Sequence, residues 1–189
     1  MRPTLRGSGR LGRYPASIGT MLRQRRARFL GRPALSEGGR TLLWEELYAQ
    51  VAQAGETLLR LGLGKGEVAA LYSRNRTEML VFELAAMSVG AVACPIFAGY
   101  PGETLGAILE HSGARFMAVE DPERLRVVLA TAAARRLERV FVMDRCPPGP
   151  LARPFSELTR PGPTAAFELT LRRVRPRDPA LLMYTSGTS

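Results

Sequence analysis

Between residues 67 and 144, four short apolar runs alternate with segments of helical periodicity. The runs are "EVAALYS", "AVACPIF", "ARFMAVE" and "RVFVMD". Each is apolar on both of its alternating sides, as strands covered on two faces must be. The intervening segments place apolar residues three and four apart. Thr77 to Val89 carries Leu80, Leu84 and Met87 on one stripe, and Glu103 to Ser112 carries Leu105, Ile108 and Leu109, closed by Gly113. Asp121 followed by Pro122 reads as an N-cap with proline at the first helical position, opening a helix with Leu125, Val128, Leu129 and Ala132 inward. Such alternation predicts an α/β fold: a mostly parallel sheet with helices on both faces.

Elements outside this block follow the same signals. "GGRTLLWEEL" predicts a turn, a short strand and the start of a helix, and Leu47, Val51, Ala54, Leu58 and Leu61 continue it at helical spacing up to Gly62. Ile18 to Phe29 reads as an amphipathic surface helix. Cys146 to Pro163 crowds proline and glycine together and predicts a surface connection with one helical turn at Phe155 to Leu158. "DPALLMY", residues 178–184, predicts a final strand.

The net charge of +10 would suggest a nucleic-acid binder if it were spread over the chain. It is not. Residues 1–40 hold ten arginines and a single acid, Glu37, and the remainder is nearly neutral. Residues 1–16 are therefore set apart as a basic arm. It shares serine and arginine content with organelle transit peptides but lacks a secretory signal's apolar core. Its "GSGRLG" matches G-x-G-x-x-G, yet no strand precedes it and no βαβ unit surrounds it, so it does not indicate a dinucleotide site. Two distant cysteines, Cys94 and Cys146, and one histidine, His111, exclude a Cys/His zinc site and a histidine-based triad. His111, at a helix end, is expected to face the last carbonyls, and Glu45 and Glu46 to favour a helix start. The absence of a disulfide framework fits a cytoplasmic setting.

The chain ends on "YTSGTS". In open parallel sheets ligands bind beyond the carboxyl ends of strands. There Thr185, Ser186, Gly187, Thr188 and Ser189 offer four hydroxyls and a glycine hinge, which suits a phosphate chain. Taken alone these residues also describe an ordinary turn. In company, "DPALLMYTSGTS" resembles the first half of the Y-T-S-G-T-T/S-G-x-P-K-G signature of the acyl-adenylate-forming enzymes, the AMP-dependent synthetases and ligases. "TLLWEELYAQVAQAGETLLRLGLGKGEVAALYSRN" is similar to that family's early aromatic-x-E-L helix and following strand. "ELAAMSVGAVACPIFAGYPGETLGAILEHSGARFMAVED" is similar to its A-x-x-x-G-A-x-x-x-P segment and the helix and strand beyond. The wording "PIFAGYP" leans towards the acyl-CoA synthetase branch.

The resemblance implies that residues 17–189 are part of an AMP-binding domain, cut within its phosphate-binding loop. It implies an enzyme that joins a carboxylic acid to ATP with Mg²⁺ and passes the acyl group to a thiol, that of coenzyme A or a carrier protein. Thr185 to Ser189 would contact the β- and γ-phosphates, and Tyr184 would anchor the strand end. The loop's later glycine and lysine and the downstream segments of the family pattern are not in this chain. The expectation is therefore an N-terminal fragment, inactive alone and aggregation-prone. A non-catalytic nucleotide- or partner-binding module, and a nucleic-acid binder using the basic arm, stand as alternatives.

Overall fold

The computed structural model describes residues 17–185. The basic arm, residues 1–16, lies outside them. Ser17 opens the first helix, α1 (Ile18–Arg28), its hydroxyl accepting from the Thr20 N–H at 3.2 Å. A hairpin of β1 (Pro33–Glu37) and β2 (Arg40–Leu43) follows, then α2 (Trp44–Arg60). Glu45 and Glu46 sit in the first turn of α2 as expected, and each carboxylate also takes a specific donor: Glu45 accepts from the Gly31 N–H and Glu46 from the Leu43 N–H at 2.8 Å.

Next in order come β3 (Val68–Tyr72), α3 (Thr77–Ser88), β4 (Val92–Ile96), α4 (Gly102–Ser112), β5 (Phe116–Val119), α5 (Pro122–Leu129) and β6 (Arg139–Val142). Asp121 caps α5, accepting from the Arg124 N–H at 2.7 Å, with Pro122 in its first turn. Gly113, at φ 65°, closes α4 in the left-handed conformation. Leu125 and Val128 are buried as the spacing predicts, whereas Leu129 is exposed and Ala132 already belongs to a separate turn of 3₁₀ helix.

The sheet has five parallel strands in the order β4–β3–β5–β6–β7. Its last member, β7 (Ala152–Pro154), lies inside the proline-rich stretch expected to be a connection only. The helical turn expected there is present as a 3₁₀ turn at Phe155–Glu157. A short helix, α6 (Ala165–Thr170), had no counterpart in the sequence pattern.

Alternation along the strands builds two cores. Ala69, Leu71, Ala93, Phe116, Ala118 and Phe141 face α2 and α3. Ala70, Cys94, Met117, Val119, Val140 and Val142 face α4 and α5. The expected helices on both faces are therefore in place, and Cys94 is the small core residue it was taken to be, its thiol pushed up to about 11 by burial. Gly55 lets α6 approach α2: a Cβ there would meet the Phe167 ring, with Cε2 at 2.7 Å.

The expected final strand is reduced to one bridge. Leu181 pairs in parallel with Ala93 on the outer edge of β4. The Ala93 N–H donates to the Ala180 carbonyl and the Leu182 N–H to the Ala93 carbonyl, each at 2.9 Å. The next outward-facing position on β4 is Pro95, two residues on. Proline has no N–H, so the next donor of the ladder is missing and the pairing is weakened there.

Candidate functional site

All five strands run the same way, so their carboxyl ends share one rim. That rim is charged. Glu120, at the end of β5, is buried yet ionic: it accepts from the Arg74 backbone N–H at 2.9 Å and from the Arg74 guanidinium at 2.6 Å, with Arg124 at 3.6 Å. Burial is the largest single influence on its carboxyl and pushes it up. The Arg74 hydrogen bonds and the charges of Arg124 and Arg74 outweigh it and hold the group below the usual carboxylate range. Arg76 pairs with Glu78 at 2.9 Å and with Asp144 at 2.8 Å. Arg74, Arg76 and Arg124 are thus committed to carboxylates at this rim.

The segment leading to the predicted loop is held at three points. First, Lys65 pairs with Asp178 at 2.6 Å and donates to the Arg173 carbonyl at 3.3 Å. Lys65 lies in the turn between α2 and β3, so this clamp holds residues 173–178 at the amino side of the sheet. The Lys65 ion pair and the Arg175 backbone N–H hold the Asp178 carboxyl below its ordinary value. Second, Leu181 bridges to Ala93. Third, the Tyr184 hydroxyl and His111 Nδ1 lie 2.6 Å apart, with their rings edge to face. Desolvation, and to a smaller extent neighbouring Cys94, raise the Tyr184 phenol.

Tyr184 therefore does anchor the segment, as expected. His111 differs from expectation: it sits in the last turn of α4, but its ring nitrogen meets Tyr184 rather than a helix carbonyl. Thr185, the first of the predicted phosphate ligands, is exposed. Ser186, Gly187, Thr188 and Ser189 lie outside the described residues. The Lys65–Asp178 and His111–Tyr184 attachments were missed by sequence reasoning. Their partners are 113 and 73 residues apart, and no local pattern marks them. Among the described residues no three or more Cys, His, Asp or Glu side chains group to hold a metal, and no helix is long and apolar enough to cross a membrane.

Comparison with known proteins bears on both fold and family. The chain is 31% identical over 144 residues to a long-chain-fatty-acid–CoA ligase, FadD15, of Mycobacterium bovis, covering 74% of this chain and 23% of that protein. It is 31% identical over 172 residues to a probable CoA ligase, CCL9, of Humulus lupulus, covering 89% of this chain and 32% of the relative. It is 27% identical over 157 residues to surfactin synthase subunit 3 of Bacillus subtilis, with coverage of 83% and 11%. The chain thus spans less than a third of the length of these relatives. Among solved structures, the anthranilate CoA ligase AuaEII in complex with anthranoyl-AMP superposes with a TM-score of 0.82 at 23% identity, over 92% of this chain and 33% of that one. The N-terminal domain of FACL13 from Mycobacterium tuberculosis superposes with a TM-score of 0.68 at 22% identity, over 92% and 42%. The architecture is shared with N-terminal regions of such enzymes, and the AMP-binding enzyme family matches residues 22–189: the chain belongs to that family.

Proposed function

We propose that this chain is the N-terminal part of an ATP-dependent carboxylic acid:CoA ligase, and that Thr185, Ser186, Gly187, Thr188 and Ser189 contribute to its phosphate-binding loop. One observation carries the reading. A segment fixed by Asp178, Leu181 and Tyr184 runs parallel to β4 and leads directly into Thr185 and the small, hydroxyl-bearing residues after it.

The donor set fits a triphosphate. Hydroxyls and backbone N–H groups bind phosphate oxygens without bringing full charge. Arg74, Arg76 and Arg124 at the strand-end rim are paired with carboxylates, so further compensating charge for the triphosphate is assigned to Mg²⁺ and to the later lysine of the family signature. When bound, ATP supplies an electrophilic α-phosphorus and a pyrophosphate leaving group, which turns a carboxylate into an acyl-adenylate ready for a thiol such as that of coenzyme A. The contribution of this chain is positional. The three attachments hold the lead-in, so that orientation is established before substrate arrives.

The test is ATP–pyrophosphate exchange by the full-length protein across a panel of fatty and aromatic carboxylic acids. Exchange dependent on one acid class is expected, and it should fall at least about tenfold in Thr185→Ala/Ser186→Ala. Residues 1–189 alone should show none. Absence of exchange with every acid, in a folded full-length protein, would remove the ligase reading.

A further inference from the structure

At the other edge of the sheet, a cavity of about 710 Å³ opens between α2 and the β6–β7 pair. Its walls follow from simple periodicities. Gln53, Glu56, Thr57 and Arg60 recur along one stripe of α2. Arg139 and Phe141 are two apart on β6 and share a face. Arg153 stands in register with Phe141 on β7, on that same face. Phe141 belongs to the core beneath α2, so the face is the one α2 covers. Arg160, in the loop after the Phe155–Glu157 turn, completes the opening.

Four guanidinium groups therefore line one space. Outside the cavity Arg23, Lys65, Arg74, Arg76, Arg115, Arg124 and Arg136 are ion-paired, while exposed arginines such as Arg25, Arg145 and Arg172 are not; what marks the cavity is that four arginines without an ion pair share one space. Among the described residues, Arg60, Arg139, Arg153 and Arg160 form no ion pair. The lining holds two carboxylates, Glu157 and Glu56, the latter also accepting from the Phe167 backbone N–H at 2.8 Å, so four guanidinium groups face two carboxylates and positive charge is in excess. The arginines spend few donors on the protein. Arg60 donates to the Thr57 hydroxyl at 3.2 Å, Arg139 to the Glu138 carbonyl, and Arg153 to the Ala152 and Gly149 carbonyls at 2.7 and 3.1 Å. Each guanidinium carries five N–H groups, so most are left for a ligand or water. Like charges sharing a partly desolvated space repel unless an anion lies between them. The one aromatic in the lining, Phe141, is fully buried, so its ring is not presented as a stacking platform for a base.

We propose that this cavity is a second anion site, for a small ligand bearing two or more linked phosphate groups, separate from the loop at Thr185. The segment that leads to that loop lies against β4, and the arginine cavity lies at β7, the opposite end of the strand order. The phosphates could be free or carried by a nucleotide; the recognition chemistry is the same.

The test is calorimetric titration of the full-length protein with inorganic pyrophosphate and, separately, with ATP, without divalent metal. The background is Thr185→Ala/Ser186→Ala/Thr188→Ala/Ser189→Ala, which removes the loop's four hydroxyls from the measurement. Saturable pyrophosphate binding is expected. Arg139→Gln/Arg153→Gln should weaken it about a hundredfold, about tenfold for each charged contact removed. Arg172→Gln/Arg177→Gln, exposed and outside the lining, should leave it unchanged. Should the first pair fail to fold, Arg60→Gln/Arg160→Gln, both at exposed positions, reads the same loss. ATP binding more tightly than pyrophosphate, with both weakened in Arg139→Gln/Arg153→Gln, would mark a nucleotide-borne ligand, and equal affinities weakened alike a free polyphosphate; either supports the site. No saturable pyrophosphate binding, or equal affinity in all three arginine pairs, overturns it. Because the loop is disabled throughout, this outcome is independent of the ligase reading.

Discussion

Gly55 and Gly106 both lie inside helices, α2 and α4, and replacing each with alanine should move stability in opposite directions. Alanine is favoured over glycine in a helix interior by about 1 kcal/mol. At Gly106 nothing opposes that gain: the nearest atoms to a new Cβ are Thr131 Cβ and Cγ2 at 3.4 and 3.5 Å, ordinary contact. At Gly55 the new methyl meets Phe167 Cε2 at 2.7 Å and Val89 Cγ1 at 3.2 Å. Phe167 is fully buried, packs edge to face on Tyr48, and its backbone N–H is held by Glu56, so the ring cannot swing aside. Overpacking of this kind costs about 1–3 kcal/mol, which exceeds the propensity gain at most of its range. Net destabilisation of up to about 2 kcal/mol corresponds to a fall in Tm of up to about 4–8 °C for Gly55→Ala, against a rise of about 2–4 °C for Gly106→Ala. Thermal unfolding followed by far-UV circular dichroism reads both. A rise in Tm for Gly55→Ala would refute the claim that close approach of α6, rather than helix flexibility, keeps glycine at that position.

Three further outcomes follow from the contacts described. Glu120→Ala leaves the Arg74 backbone N–H without its partner, while the Arg74 side chain, 74% exposed, can turn to water, so the loss in urea unfolding should be about 1–2 kcal/mol. The folded-state carboxyls of Glu120 and Asp178 lie below their unfolded values, so their contribution is present above the unfolded carboxylate range and lost as pH falls through the folded one; the acid limb of a stability–pH profile should be shallower in Glu120→Ala than in the parent. Tyr184→Phe removes the contact with His111, worth about 1 kcal/mol, so amide exchange at Leu182 should accelerate about fivefold with the global unfolding free energy nearly unchanged. Equal exchange in parent and variant would mean that Tyr184 does not restrain the segment.

The central block was legible in the sequence because its signals are local. Asp121 and Pro122 announce α5, Gly113 ends α4, and the strands from Val68 to Val142 are apolar on both faces because both faces are covered. What was missed depends on distant partners. β1, "PALSE", is the exception: its partner β2 is adjacent in sequence, but it has no alternation of its own and is extended because β2 folds back on it. β7 is three residues among prolines, ordered by its pairing with β6. α6 is six residues long and exists through Phe167, seated against Gly55 of α2. The final strand was over-read for the opposite reason: residues 178–184 have the composition of a strand, but β4 presents only part of an edge to receive them. At the site, Tyr184 could be assigned as an anchor from its place in the pattern, while its partner His111 could not.

Along the outward side of β4, the Ala91 N–H is already spent on the Ala86 carbonyl and Pro95 has none to give. Ala93 is left as the single docking notch. A bridge moved to Ala91 or Pro95 would find no free N–H, and a segment sliding by two residues past Ala93 would move about 6.6 Å and carry Tyr184 out of reach of His111. The border of the sheet therefore works as a keyed slot: it admits residues 180–182 in one alignment and indexes everything that follows them to that position.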